Sequence, residues 1–242
     1  FTQMPDSIPA AEQERLRAEA AAVIASQTVP AYTELPAFLR EDYIPNARTN
    51  ISASSLPNGP GYYQAMIEKF TTLDLTAEQI HQIGLGEVAR IKAEMEATKQ
   101  EAGFDGTLAE FMHFLRTDPQ FYATSREQLL EKASEIAKRA DDRLPALFGA
   151  LPRLPYGVRP VPREIEDSYT TGRYNSGSMQ NGVAGGYIVN TSKLDQRPLY
   201  ELPALTVHEA VPGHHLQIAL QQEAADQPYY RRGAVVTAFS EG

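Results

Sequence analysis

Three of the five histidines lie within eight residues, as His208, His214 and His215, and Glu209 directly follows the first of them. A His-Glu pair on a helix, followed by a histidine about one turn later, is the arrangement with which zincins hold Zn²⁺ and activate water. The segment therefore predicts a zinc site in which imidazoles hold the metal and Glu209 acts as the general base.

The spacing departs from the usual H-E-x-x-H, because Pro212 stands where the second histidine would be. On a regular helix His215 would return to the face of His208 about 10.5 Å further along the axis, and His214 would point about 120° away. Zinc–nitrogen bonds of about 2.1 Å cannot span either separation. Pro212 and Gly213 favour a bulge that would restore the geometry. We therefore expect His208 and His214 to be ligands, with His215 as a substrate contact or supporting neighbour.

A catalytic zinc site needs a third protein ligand and an open position. Glu241 follows His208 at a distance along the chain that allows a helix, a turn and a return. A glutamate from a following helix completes the site in one branch of the zincins. The sequence thus makes Glu241 the candidate for the third ligand.

The elements around this segment are mostly helical. Ser, Thr and Gln at capping positions and regular apolar spacing predict helices over 9–29, 31–42, 62–72, 76–102, 107–116 and 125–148. Prolines become frequent after residue 151, and 185–191 reads as a strand. One long helix over 199–222 should then carry the histidines. The predicted fold is mainly α, a helical array (1–150) followed by a small β segment and the metal-binding helix (151–242), within one continuous zincin-like catalytic domain.

Composition limits the possible partners. The chain has 22 Lys and Arg against 31 Asp and Glu, a net charge of -9, which disfavours nucleic acid as a ligand. It has no cysteine, which excludes thiolate chemistry, and no segment apolar enough for a membrane span. Because the chain starts at Phe1 and stops just after Glu241, we expect a fragment that needs a missing C-terminal segment, a second fragment or self-association.

Residues 206–217 resemble the signature of the bacterial DUF885 family, and 151–152, 186–190 and 238–242 extend the resemblance over most of the chain. The chain corresponds to only the middle of the family's length. The resemblance implies a mostly helical protein, often exported to the periplasm or lipid-anchored, and a distant relative of the gluzincin metallopeptidases. It also implies that Glu241 is the third ligand.

Residues and resemblance together predict a peptidase. His208, His214 and Glu241 would hold Zn²⁺, while Glu209 would take the proton of the water that attacks an amide carbonyl. Strand 186–191 could offer a sheet edge to an extended peptide. The candidate substrate or oxyanion contacts are His215, Tyr187, Asn190, Tyr229 and Tyr230.

Two alternatives remain open at the level of sequence. The same metal chemistry would serve a hydrolase of non-peptide amides or esters. A helical binding module with an unassembled metal site would carry the same histidines without catalysis.

Overall fold

The computed structural model describes residues 3–233 and 235–242, which are mainly helical with a small β segment, as the sequence predicted. The β segment is a three-stranded sheet. The helices of this part are α1 (Ala10–Val23), α2 (Val29–Phe38), α3 (Gly59–Thr71), α4 (Ala77–Glu101), α5 (Leu108–Thr117), α6 (Arg126–Leu147), α7 (Leu202–Glu209), α8 (His214–Glu223), α9 (Tyr229–Gly233) and α10 (Thr237–Ser240). The strands are β1 (Tyr156–Pro160), β2 (Gly172–Asn175) and β3 (Gly185–Val189).

The chain divides into two compact units, Phe1–Tyr63 and Gln64–Gly242. In the first, a π-helical stretch (Ile24–Thr28) joins α1 directly to α2, and a second one (Leu39–Tyr43) follows α2. The proline in the first turn of α2 has no amide hydrogen, so the helical path passes through it without a backbone donor at that position.

Side-chain caps define the helix starts of the second unit. Thr76 and Thr107 each accept a hydrogen bond from the amide three residues later, and the third residue bonds back to complete a capping box. Ser125 caps α6 by accepting from the amide of Gln128. These caps confirm the predicted starts of α4, α5 and α6.

The sheet has the strand order β1-β3-β2, with β3 parallel to β1 and antiparallel to β2. The predicted strand is confirmed as β3, but the prediction that it offers a free edge is wrong. Both of its sides are paired, and all five of its residues are buried, as expected of an apolar strand covered on both faces. The edge strands are β1 and β2, which sequence reasoning did not predict.

The core lies between β3, α6 and α7. Tyr187 and Val189 of β3 pack with Leu129 and Ala133 of α6 and with Leu202 of α7. A second cluster holds the start of α8 to the end of α6 through Leu144, Val211 and Leu216. The residues on both sides of position 151 therefore pack together in the second unit.

The predicted continuous helix over 199–222 is wrong, because α7 ends at Glu209 and α8 begins at His214. Pro212 has no amide hydrogen to continue the helix. A side chain at Gly213 would collide with the carbonyl oxygen of His208, so the chain passes closer to α7 than any other residue type allows. The expected bulge is thus a complete turn between two helices. None of the helices in the described ranges is both long and apolar enough to cross a membrane.

Candidate metal centre

The turn between α7 and α8 brings His214 beside His208. The amide of Gly213 donates to the carbonyl of Val207 at 2.9 Å, and the amide of His215 donates to that of Ala210 at 3.0 Å. These bonds hold the first turn of α8 against the last turn of α7. As a result the ring centroids of His208 and His214 are 4.5 Å apart, a separation that no regular helix gives at this spacing.

Glu241, just after α10, joins the two imidazoles. Its Oε2 lies 3.3 Å from Nε2 of His208, and its Oε1 lies 3.7 Å from Nε2 of His214. The side-chain amide of Gln217 on α8 donates to the carbonyl of Phe239 at 2.7 Å and so ties α10 to α8. Ligand-type atoms of His208, His214 and Glu241 all lie within 4.8 Å of one another.

This spacing fits a tetrahedral zinc ion. Ligand atoms bonded to zinc at about 2.1 Å stand about 3.4 Å apart. The separations of 3.3 and 3.7 Å, which join the two imidazoles to different oxygens of Glu241, lie near that value. Two imidazole nitrogens and one carboxylate are a donor set typical of zinc among the common divalent cations. The three predicted ligands are therefore positioned to hold such an ion.

Glu209 lies beside this cluster. Its carboxylate is 7% exposed and accepts a hydrogen bond from the amide of Tyr174 on β2 at 2.6 Å. The same oxygen is 4.0 Å from Nε2 of His214. The carboxylate is thus held next to the candidate ligands by the backbone of the edge strand.

His215 faces the interior instead. The residue is 2% exposed, its ring packs 4.6 Å from the ring of Tyr156, and its Nδ1 shares a hydrogen bond with the hydroxyl of Tyr174 at 3.0 Å. Burial lowers the pKa of His215, which favours the neutral imidazole. Its burial and its bond to Tyr174 favour the predicted role of supporting neighbour over that of a substrate contact.

Tyr187 and Asn190 are also buried, so their predicted substrate contacts are not supported. Tyr187 is 0% exposed and accepts a hydrogen bond from Thr206, while burial raises its pKa to about 12. The side-chain amide of Asn190 donates to the backbone carbonyls of Glu166 at 2.8 Å and Tyr169 at 3.2 Å, and these bonds stabilise the loop before β2. Tyr187 is thus packed within the sheet, and Asn190 directly follows β3 and holds the neighbouring loop.

An open cleft of about 780 Å³ borders the cluster. Besides His208, Glu209, His214 and Glu241, it is lined by β2, α8, α9 and the segment around α10. Tyr229 and Tyr230 are exposed on α9 but do not line the cleft, whereas Arg231, the next residue of that helix, does. The predicted tyrosine contacts therefore lie outside the described cleft.

A family model described as a bacterial protein of unknown function, DUF885, matches residues 1–242. The chain belongs to the DUF885 family. It is similar to a crystal structure described as that of "the putative lipoprotein from Colwellia psychrerythraea", with 32% sequence identity and a TM-score of 0.87. The similarity covers 98% of this chain and 41% of that one, so the DUF885 chain spans less than half of that protein's length. None of the curated proteins matches it in sequence.

The cleft residues that sequence reasoning did not single out include Arg173 and Tyr174, which lie in a region rich in Gly, Ser and Asn. Tyr174 holds Glu209 with its amide and His215 with its hydroxyl. The only local signal was the alternation of Gly172 and Tyr174 with polar neighbours, which is too short to distinguish a strand. Residues 172–175 form strand β2 because they pair with β3.

Proposed function

We propose that this DUF885 chain carries the catalytic centre of a zinc-dependent hydrolase of the gluzincin kind, acting on peptides. The observation that carries the proposal is the gathering of His208, His214 and Glu241 within 4.8 Å, beside a buried carboxylate that is not part of the cluster. Three candidate ligands and an adjacent acid or base are what hydrolysis at a zinc centre requires.

His208, His214 and Glu241 would hold the ion, which when bound supplies Lewis acidity and lowers the pKa of water. Glu209 would accept the proton of the attacking water. Its carboxylate lies 4.0 Å from Nε2 of His214, and therefore beside the place where the candidate ligands would hold the ion. The amide of Tyr174 orients that carboxylate without carrying a charge of its own. Glu209 can then pass the proton to the leaving amine.

An extended substrate would lie along β2. This strand is an edge of the sheet, and its residues Gly172, Arg173 and Tyr174 line the cleft beside Glu209. An edge strand can pair with a peptide in the extended conformation, here through backbone groups other than the amide of Tyr174, which donates to Glu209. This favours a peptide over a compact amide or ester, and it moves the predicted edge from β3 to β2.

The activity is proposed for the protein that contains this chain, since the chain covers 41% of its solved relative. We also propose an exported or lipid-anchored location, supported by the description of that relative as a putative lipoprotein. The test of location is fractionation of cells that produce the full-length protein. Recovery in the cytosol alone would count against export.

The deciding experiment compares the protein with its Glu209→Gln variant after loading with zinc. Metal content is measured by elemental analysis, and hydrolysis by mass spectrometry on a peptide mixture with an ester panel alongside. We expect about one zinc per chain in both proteins and a loss of hydrolysis of about 100-fold or more in Glu209→Gln. Glu131→Gln, at an exposed position on α6, is the matched control and should keep the full rate.

Three results would contradict the proposal. Failure to bind zinc would leave the binding-module alternative, and an unchanged rate in Glu209→Gln would remove Glu209 as the base. Cleavage of esters without cleavage of peptides would assign the centre to the non-peptide alternative.

A further inference from the structure

We propose that the cleft selects substrates that carry a carboxylate, which Arg173 and Arg231 bind; this inference rests on the proposed function and names its substrate class. Arg173 is exposed on the edge strand β2, and Arg231 is exposed on α9. Both line the same cleft as His208, Glu209 and Glu241. A substrate that reaches the candidate metal centre therefore lies within the same cavity as two guanidinium groups.

Neither guanidinium has a partner within residues 3–233 and 235–242. Some other arginines of the second unit are paired, such as Arg126 with Glu166, and Arg153 with Glu223 at 3.4 Å. The side chains of Arg173 and Arg231 make no hydrogen bond and no ion pair to the described residues. Two unpaired cations at one cleft, in a chain of net charge -9, point to an anion supplied by the ligand.

Two glutamines of α8 that line the cleft already donate hydrogen bonds to the backbone. The side-chain amide of Gln217 donates to the backbone carbonyl of Phe239 at 2.7 Å, and the side-chain amide of Gln221 donates to the backbone carbonyl of Arg231 at 2.6 Å. The second bond ties the backbone of Arg231 to α8 and leaves its guanidinium for the cleft. The charged donors that face a ligand are therefore the two arginines.

The carboxylates of the cleft do not compete for them. Glu209 accepts from the amide of Tyr174, and Glu241 lies against His208 and His214. Apolar groups of Ile218, Val236 and Phe239 also line the cavity. A guanidinium binds a carboxylate through two parallel charge-assisted hydrogen bonds, which fix the orientation of the ligand as well as attract it.

The carboxylate can come from two parts of a peptide, the free C-terminus or an Asp or Glu side chain. Two pairs of N-acetylated peptides distinguish them. The two peptides of the first pair have the same sequence, and one has a free C-terminus while the other is amidated. Both peptides of the second pair are amidated, and they differ in carrying Glu or Gln at one position. We expect kcat/KM to be at least about tenfold higher for the charged member of one pair.

Arg173→Gln and Arg231→Gln test the assignment. Each should reduce that preference severalfold, and in the double variant the charged and uncharged members of the pair should be cleaved with equal kcat/KM. The control is Arg116→Gln, an exposed arginine of α5 outside the cleft, which should leave the preference unchanged. Equal rates for charged and uncharged members of both pairs would overturn the inference and leave the proposed hydrolase intact.

Calorimetric binding of the same peptides to the zinc-loaded Glu209→Gln variant separates this inference from the proposed function. Preferential binding of the charged peptide would support the carboxylate site even if no peptide were hydrolysed, provided that the preference is lost when Arg173→Gln and Arg231→Gln are combined with Glu209→Gln. Absence of any preference in binding would overturn the site, whatever the rate of hydrolysis.

Discussion

The backbone amide of Tyr174 donates to the carboxylate of Glu209 at 2.6 Å, although the two residues lie far apart in the sequence. Strand β2 thus positions the candidate base with a main-chain group, while the hydroxyl of the same tyrosine bonds to His215 at 3.0 Å. A side-chain substitution at position 174 therefore removes the second bond and keeps the first.

Tyr174→Phe should destabilise the protein without moving Glu209. It removes the hydroxyl that bonds to the buried Nδ1 of His215, and a buried polar atom without a partner costs about 1–3 kcal/mol. The free energy of unfolding from urea titrations measures the loss. Tyr200→Phe is the control, because Tyr200 is 42% exposed and its hydroxyl makes no hydrogen bond within the described ranges. This substitution should change the free energy of unfolding little. Equal losses in both variants would contradict the role of the Tyr174–His215 bond.

His208→Ala and His214→Ala should each lower zinc affinity by about 100-fold or more, because each removes one of three candidate ligands. Competition with a chromogenic chelator measures the dissociation constant. His113→Ala, at an exposed position on α5, should bind zinc as the unchanged protein does. Wild-type affinity in His208→Ala or His214→Ala would show that the cluster is not the zinc site.

Gly213→Ala should disrupt the turn that unites the two histidines. The added methyl group would collide with the carbonyl of His208, so α7 and α8 must separate. We expect a lower midpoint of thermal unfolding together with weakened zinc binding. Gly149→Ala is the matched control, because its surroundings leave space for a Cβ, and normal zinc binding in Gly213→Ala would contradict the importance of this close approach.

The ion pair of Arg126 with Glu166 should make stability depend on acid pH. Hydrogen bonding to Arg126 holds the pKa of Glu166 below its ordinary value of 4.5. The native state then binds fewer protons than the unfolded state, so this contribution is complete above pH 4.5 and is lost as the pH falls through the lowered pKa. Urea titrations between pH 3 and pH 6, values chosen to bracket about 4.5, should show a shallower acid loss in Glu166→Gln. An identical slope in both proteins would count against the coupling.

Local sequence signals were sufficient for most helices. Thr76 with Gln79 and Ser125 with Gln128 specify helix starts through bonds that span three residues, so their outcome does not depend on distant parts of the chain. The glycine-bounded apolar run of β3 was equally readable. Strands β1 and β2 were not, because their short, polar or proline-containing sequences become strands only by pairing with β3.

The sequence by itself determined the chemistry available at the candidate site, namely His208, Glu209, His214 and Glu241, and the point at which a helix cannot continue, at Pro212. The tertiary structure decided that α7 and α8 are separate helices, that His215 and Asn190 are buried, and that Arg173, Tyr174 and Arg231 border the cleft. The physical reason is the range of the interactions. Caps and helix breaks depend on neighbours within one turn, whereas the bond from Tyr174 to Glu209 and the approach of Glu241 to His208 depend on packing between elements that are distant along the chain.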